Sequence, residues 1–191
     1  MDTAGHRGVT LTVISTIGLA LLGSDLLEPS IPVGGALLLC LGIGYVVAPL
    51  PNTLEQVVNR GRRGPLHSVF SPLLVAPVLY FSLLGAIAQG QHFLTRSLSI
   101  PVSGGVLALL IAGTVGGAWV THILVDLGSI SRGRFQFAPL APLSDRSVAL
   151  GLYDSDSKIL NATIFLVGVV LVGVLAVVFL IQILLSTSLF S

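Results

Sequence analysis

Apolar residues run along this chain in long unbroken blocks, not in the two-residue alternation of a half-buried strand. Five blocks have about the 20 residues a helix needs to cross the hydrocarbon core of a bilayer: Val9–Leu27, Ile31–Leu50, Val69–Gly90, Ile100–Val125 and Ile159–Leu185. The first is the weakest, because Asp25 leaves only Val9–Ser24 uncharged. The pattern predicts an all-α, polytopic transmembrane bundle of about five spans, folded as a single domain over residues 1–191. A closed barrel is the other way to satisfy backbone groups in lipid, but its strands would alternate and these do not. Two polar connections break the pattern, the loops Pro51–Ser68 and Leu127–Lys158, and the first is rich in Gly and Pro.

Composition narrows the class further. Only 9% of residues are charged against 53% hydrophobic, far below the quarter expected of a soluble domain. Nucleic-acid binding and disorder, which both need charge, are excluded as main themes. A single cysteine, Cys40, excludes an intrachain disulfide and a cysteine-based metal site. The few charges orient the bundle. With the N-terminus cytoplasmic, Arg7, Arg60, Arg62, Arg63, Arg132, Arg134, Arg146 and Lys158 lie inside and only Arg96 lies outside. Positively charged loops stay on the cytoplasmic side, so the expectation is a multi-pass plasma-membrane protein in this orientation. In the fourth span Gly113 and Gly117 form a small-xxx-small pair, predicted to pack closely within the bundle, with a homo-oligomer face as the alternative.

In that orientation the polar residues with chemistry gather at one membrane face. His6 precedes the first span, His67 opens the third, and His122 and Asp126 close the fourth, while His92 lies on the other side. Four positions apart on a helix, His122 and Asp126 project from one face. Three helix ends can meet in a small bundle, so His6, His67, His122 and Asp126 are candidate ligands for one divalent metal. Imidazole and carboxylate donors suit zinc first, with manganese or iron as alternatives. Zinc would lower the pKa of a bound water to near 7 and supply a nucleophile. Each residue also has a plain reading, as an interfacial side chain or a local pair. An ionisable pair at the end of an apolar span is nonetheless costly unless satisfied. Arg62 and Arg63 precede His67 in a turn-rich stretch, where they suit an anionic group or lipid head groups. Glu55 is the candidate general base.

These residues resemble a pattern. Gly5-His6, then Pro51-Asn52-Thr53-Leu54, then Arg62-Arg63-Gly64-Pro65-Leu66-His67-Ser68, then His122-x-x-x-Asp126 followed by Ser129, Gly133 and Pro139 are similar to the YdjM-like family of membrane-bound, metal-dependent hydrolases. The resemblance covers Met1 to about Pro142. It implies a hydrolase with its metal at the membrane face. The family has aspartates at the positions of Asn52 and Leu54, histidine at Arg62 and threonine at Leu66. The residues retained here accordingly imply a mononuclear site. Two functions follow as expectations: a hydrolase acting on a phosphoester or lipid head group, with Arg63 binding the anion, or a non-catalytic membrane protein that keeps the fold for assembly or lipid interaction. A transporter is disfavoured, because the middles of the spans carry no charge.

Overall fold

The computed structural model describes residues 2–24, 26, 28–59, 65–97, 104–130, 140 and 150–188. It is an all-α bundle containing five helices long and apolar enough to cross a membrane. In chain order the helices are α1 (Thr3–Gly23), α2 (Ile31–Val47), α3 (Leu50–Asn59), α4 (Phe70–Ser97), α5 (Gly104–Gly128) and α6 (Lys158–Ser188), with a short 3-10 turn at Pro65–His67 before α4. At the centre, α1 packs against α2, α5 and α6, while α4 packs on the far side of α5. One apolar cluster joins Leu11, Leu22, Leu41 and Leu175 from α1, α2 and α6. A second joins Val47 to Val115, Ala118, Trp119 and Ile123 of α5. Apolar side chains such as Leu73, Phe81, Leu166 and Leu184 point outward, as a lipid-facing surface requires.

Helix α1 starts six residues before the apolar block. Asp2 caps it, its carboxylate accepting the Gly5 backbone N–H at 2.8 Å. His6 is thereby carried into the first helical turns and not into a loose tail.

The expected loop Pro51–Ser68 contains a helix, which corrects the sequence reading. Pro49 and Pro51 stop α2 at Val47, but proline is tolerated in the first turn of a new helix, so α3 starts at once. Its apolar Leu54 and Val57 face outward, while Pro51 and Glu55 are buried. Pro49 also lacks the N–H that would pair with the Tyr45 carbonyl. Arg7 Nε donates to that oxygen at 3.3 Å instead, and the guanidinium lies 4.3 Å from the Tyr45 ring centre.

The small-residue expectation is corrected too. A Cβ on Gly113 or Gly117 would meet nothing within 4 Å. Close packing falls elsewhere. A Cβ on Gly8 would lie 2.5 Å from Phe165 Cα, one on Gly168 2.5 Å from the Gly8 carbonyl, and one on Gly116 2.8 Å from Ala76 Cβ. Helices α1 and α6 therefore cross backbone to backbone at Gly8 and Gly168.

The C-terminal end of α5 is tied down by residues just before α6. Leu150 and Leu152 N–H donate to the Leu127 and Gly128 carbonyls at 2.9 and 2.8 Å, and the Tyr153 hydroxyl donates to the Val125 carbonyl. Tyr153–Asp154 pairs in parallel with Ser129–Ile130. Ser129 Oγ donates to the Asp126 carbonyl at 2.9 Å. Carbonyls that a helix end leaves without partners are thus satisfied, and the turn bearing Asp126 is fixed.

Candidate metal centre

His6 on α1, His67 in the 3-10 turn, and His122 and Asp126 on α5 meet at one end of the bundle. All four side chains are 0–1% exposed. His122 Nε2 lies 3.4 Å from Asp126 Oδ2, as the four-residue spacing predicts. His67 Nε2 is 3.3 Å from His122 Nε2 and 3.7 Å from Asp126 Oδ2. His6 Nε2 is 3.5 Å from Asp126 Oδ1, and its ring stacks on His122 with centroids 3.8 Å apart. One donor atom each from His6, His122 and Asp126 falls within 4.8 Å of the others, and His67 adjoins this trio.

The spacings carry chemical information. A good hydrogen bond between nitrogen and oxygen is about 2.7–3.2 Å long. Tetrahedral ligands on bonds of about 2.0–2.1 Å stand about 3.3 Å apart. The observed separations of 3.3, 3.4, 3.5 and 3.7 Å exceed the first range and match or slightly exceed the second.

Proton positions agree with ligand duty. His122 Nδ1 is 2.7 Å from the Ala48 carbonyl, which only accepts, so Nδ1 carries a proton and Nε2 faces the cluster. His67 Nδ1 faces Glu55 Oε2 at 3.3 Å, a longer contact with a carboxylate as the acceptor. An Nδ1 held by a carbonyl or carboxylate is the usual outer support of a metal-binding histidine. His67 Nε2 also lies 2.9 Å from Asn52 Oδ1, an acceptor, so a proton there would bond to Asn52 or to His122 Nε2, and an ion entering the cluster would take that proton's place. The donor set fits a divalent ion.

Other contacts hold His67 where it is. The Leu66 N–H donates to Glu55 Oε2 at 3.2 Å, and the Leu66 carbonyl accepts from Trp119 Nε1 at 2.9 Å and Ser71 Oγ at 2.8 Å. Ser68 Oγ closes the turn on the Pro65 carbonyl at 2.6 Å. Asn52 Oδ1 stands 2.9 Å from His67 Nε2, so α3 brings an amide as well as a carboxylate to this ring. Sequence reasoning missed Trp119 and the Ala48 carbonyl. The chain's sole tryptophan, one turn before His122, was an available signal. The carbonyl had only the prolines after it as a hint.

The structure thus brings together His6, His67, His122 and Asp126, with Glu55 behind His67. Arg62 and Arg63 lie outside the described residues, as do Gly133, Pro139 and Pro142.

Fold and cluster together define a class: a helical protein with five helices long and apolar enough to cross a membrane and a buried His/Asp group able to hold a metal ion. Comparison with protein-family models, curated proteins and solved structures returns no match.

Proposed function

We propose that this chain is a membrane-embedded, metal-dependent hydrolase of phosphoesters, working at the cytoplasmic face of the plasma membrane. The observation that carries this reading is the ligand-like spacing of three imidazoles and a carboxylate in a buried pocket. The resemblance to the YdjM-like hydrolases at Gly5-His6, His67-Ser68 and His122-x-x-x-Asp126 supports it independently. The eight-to-one distribution of Lys and Arg supports the orientation.

In this reading His6, His67, His122 and Asp126 hold the ion, zinc first on donor chemistry. When bound, the metal polarises a phosphoryl oxygen and lowers the pKa of a water toward neutrality. Overall, a water oxygen bonds to phosphorus, the bond from phosphorus to the alcohol oxygen breaks, and a proton of the water ends on that oxygen. Arg63, or its chain neighbour Arg62, would supply the guanidinium for the phosphate anion. Glu55 acts mainly by positioning: Oε2 accepts the Leu66 N–H and faces His67 Nδ1, holding Nε2 inward.

Elemental analysis of the purified protein tests this directly. One divalent ion per chain, lost in His122→Ala and Asp126→Ala together with phosphatase activity on p-nitrophenyl phosphate, is the expected result. Absence of a stoichiometric ion in the wild-type protein would sink it.

A second reading draws on one observation, the near-complete burial of the ligands. Structural metal sites are closed, whereas catalytic ones keep an open position. A protein with full metal content that hydrolyses neither soluble nor lipid phosphoesters would favour a structural ion clamping α1, the 3-10 turn and α5.

A further inference from the structure

The sequence expectation for Gly113 and Gly117 leaves a question, since nothing packs on them. Both line a groove of about 500 Å³ between α1, α2 and α5. Its walls are almost wholly apolar, from residues such as Ile14, Leu21, Leu37 and Leu110. On α1 it extends from Thr10 to Leu21, eleven residues, or about 16 Å at 1.5 Å per residue. On α5 it runs from Val106 to Thr121, fifteen residues or about 22 Å, so it takes up between half and three quarters of the roughly 30 Å hydrocarbon core.

The groove ends about one helical turn short of the metal cluster, and none of the four candidate ligands lines it. Thr10 follows His6 by one helical turn, and Ala118 precedes His122 by one turn, so each wall continues onto a ligand along one helix face. At that end the Thr10 hydroxyl is 1% exposed and has no hydrogen-bond partner among the described residues. A buried hydroxyl of this kind suits the ester or glycerol oxygen at the top of a lipid tail.

We infer that the groove between α1, α2 and α5 holds one acyl chain of a phosphate-bearing membrane lipid, whose head group then lies at the His6/His67/His122/Asp126 cluster. This rests on the phosphoester reading for the head group but not for the chain. Three features select a lipid tail: apolar walls long enough for an extended chain, a buried hydroxyl without a partner among the described residues at the end nearest the cluster, and two glycines that leave the channel open.

Cys40 lines the groove and is the chain's single cysteine, so its alkylation by a maleimide reports occupancy without any assay of activity. Delipidated full-length protein in detergent is titrated with dioleoyl phosphatidic acid, with dioleoylglycerol, and with glycerol 3-phosphate. Metal content is measured in parallel, and native mass spectrometry counts bound lipid. Phosphatidic acid is expected to bind one per chain and to slow Cys40 alkylation about tenfold. Glycerol 3-phosphate is expected to leave alkylation unchanged. Gly113→Leu, which points a side chain into the open channel, is expected to weaken lipid retention about tenfold with metal content kept, the equivalent of excluding roughly two methylenes.

Lipid retention unchanged in Gly113→Leu, or Cys40 unprotected in the wild-type protein at saturating phosphatidic acid, would overturn the groove assignment while leaving the metal reading intact. Protection that rises with protein concentration in the absence of lipid would overturn it in favour of a second copy. Dioleoylglycerol binding as tightly as phosphatidic acid would overturn the phosphate part. Loss of the metal in wild-type protein with lipid still retained would instead count against the hydrolase and leave the acyl groove standing.

Discussion

Each inward-turned imidazole whose second nitrogen has a partner owes its aim to that partner. His122 is held by a backbone carbonyl that no side-chain substitution removes, whereas His67 is held by Glu55 and can be tested. Glu55→Gln keeps the shape but replaces a charged acceptor by a weaker one. Metal affinity is expected to fall about 10–100-fold, as it does when an outer partner of a ligand is lost. A competition titration against a chelator measures this, with circular dichroism to check that helicity is unchanged. Equal affinity in both proteins would remove the positioning role.

At the scale of elements, glycines separate into those that touch and those that do not. Gly8→Ala drives a methyl against the Phe165 backbone, which cannot rotate away, so the α1–α6 crossing must open. Overpacking of this kind costs about 1–3 kcal/mol. Gly113→Ala meets open space and replaces the poorer helix former, with a gain of up to about 1 kcal/mol. Thermal unfolding in one detergent should therefore move in opposite directions for the two variants. The C-terminal turns of α5 depend on the Tyr153 hydroxyl bonded to the Val125 carbonyl. Tyr153→Phe should cost about 1 kcal/mol by the same measurement, the ordinary net worth of one hydrogen bond.

Across the whole molecule, the candidate ligands come from α1, from the turn before α4 and from α5, so a bound ion ties distant parts of the chain. An ion that binds only the folded protein stabilises it by about 2.7 kcal/mol at a free concentration 100 times its Kd. Chelation should therefore lower the unfolding temperature of the wild-type protein and leave that of His122→Ala unmoved. Membrane orientation is testable at the same scale. In a Cys40→Ser background, Gln56→Cys should react with an impermeant thiol reagent only in inverted vesicles, and Glu28→Cys only in right-side-out ones. The reverse pattern would invert the topology inferred from the arginines.

The blocks of apolar residues by themselves determined the number of membrane-crossing helices, because a span is a local property of length and composition. The pairing of His122 with Asp126 was equally local, since four residues on any α-helix share a face. His6 and His67 could be assigned to the same end of the bundle from the sequence, but their approach to within ligand distance depends on how three elements cross. Only the tertiary structure decided that Gly8 and Gly168, not Gly113 and Gly117, make the close contact. Every glycine is equally small, and which ones meet a neighbour depends on the rotation of each helix about its axis. Helix α3 was hidden for a related reason: prolines that end one helix can also begin the next, and its buried face is polar, so it exists to deliver Asn52 and Glu55 to a histidine far along the chain.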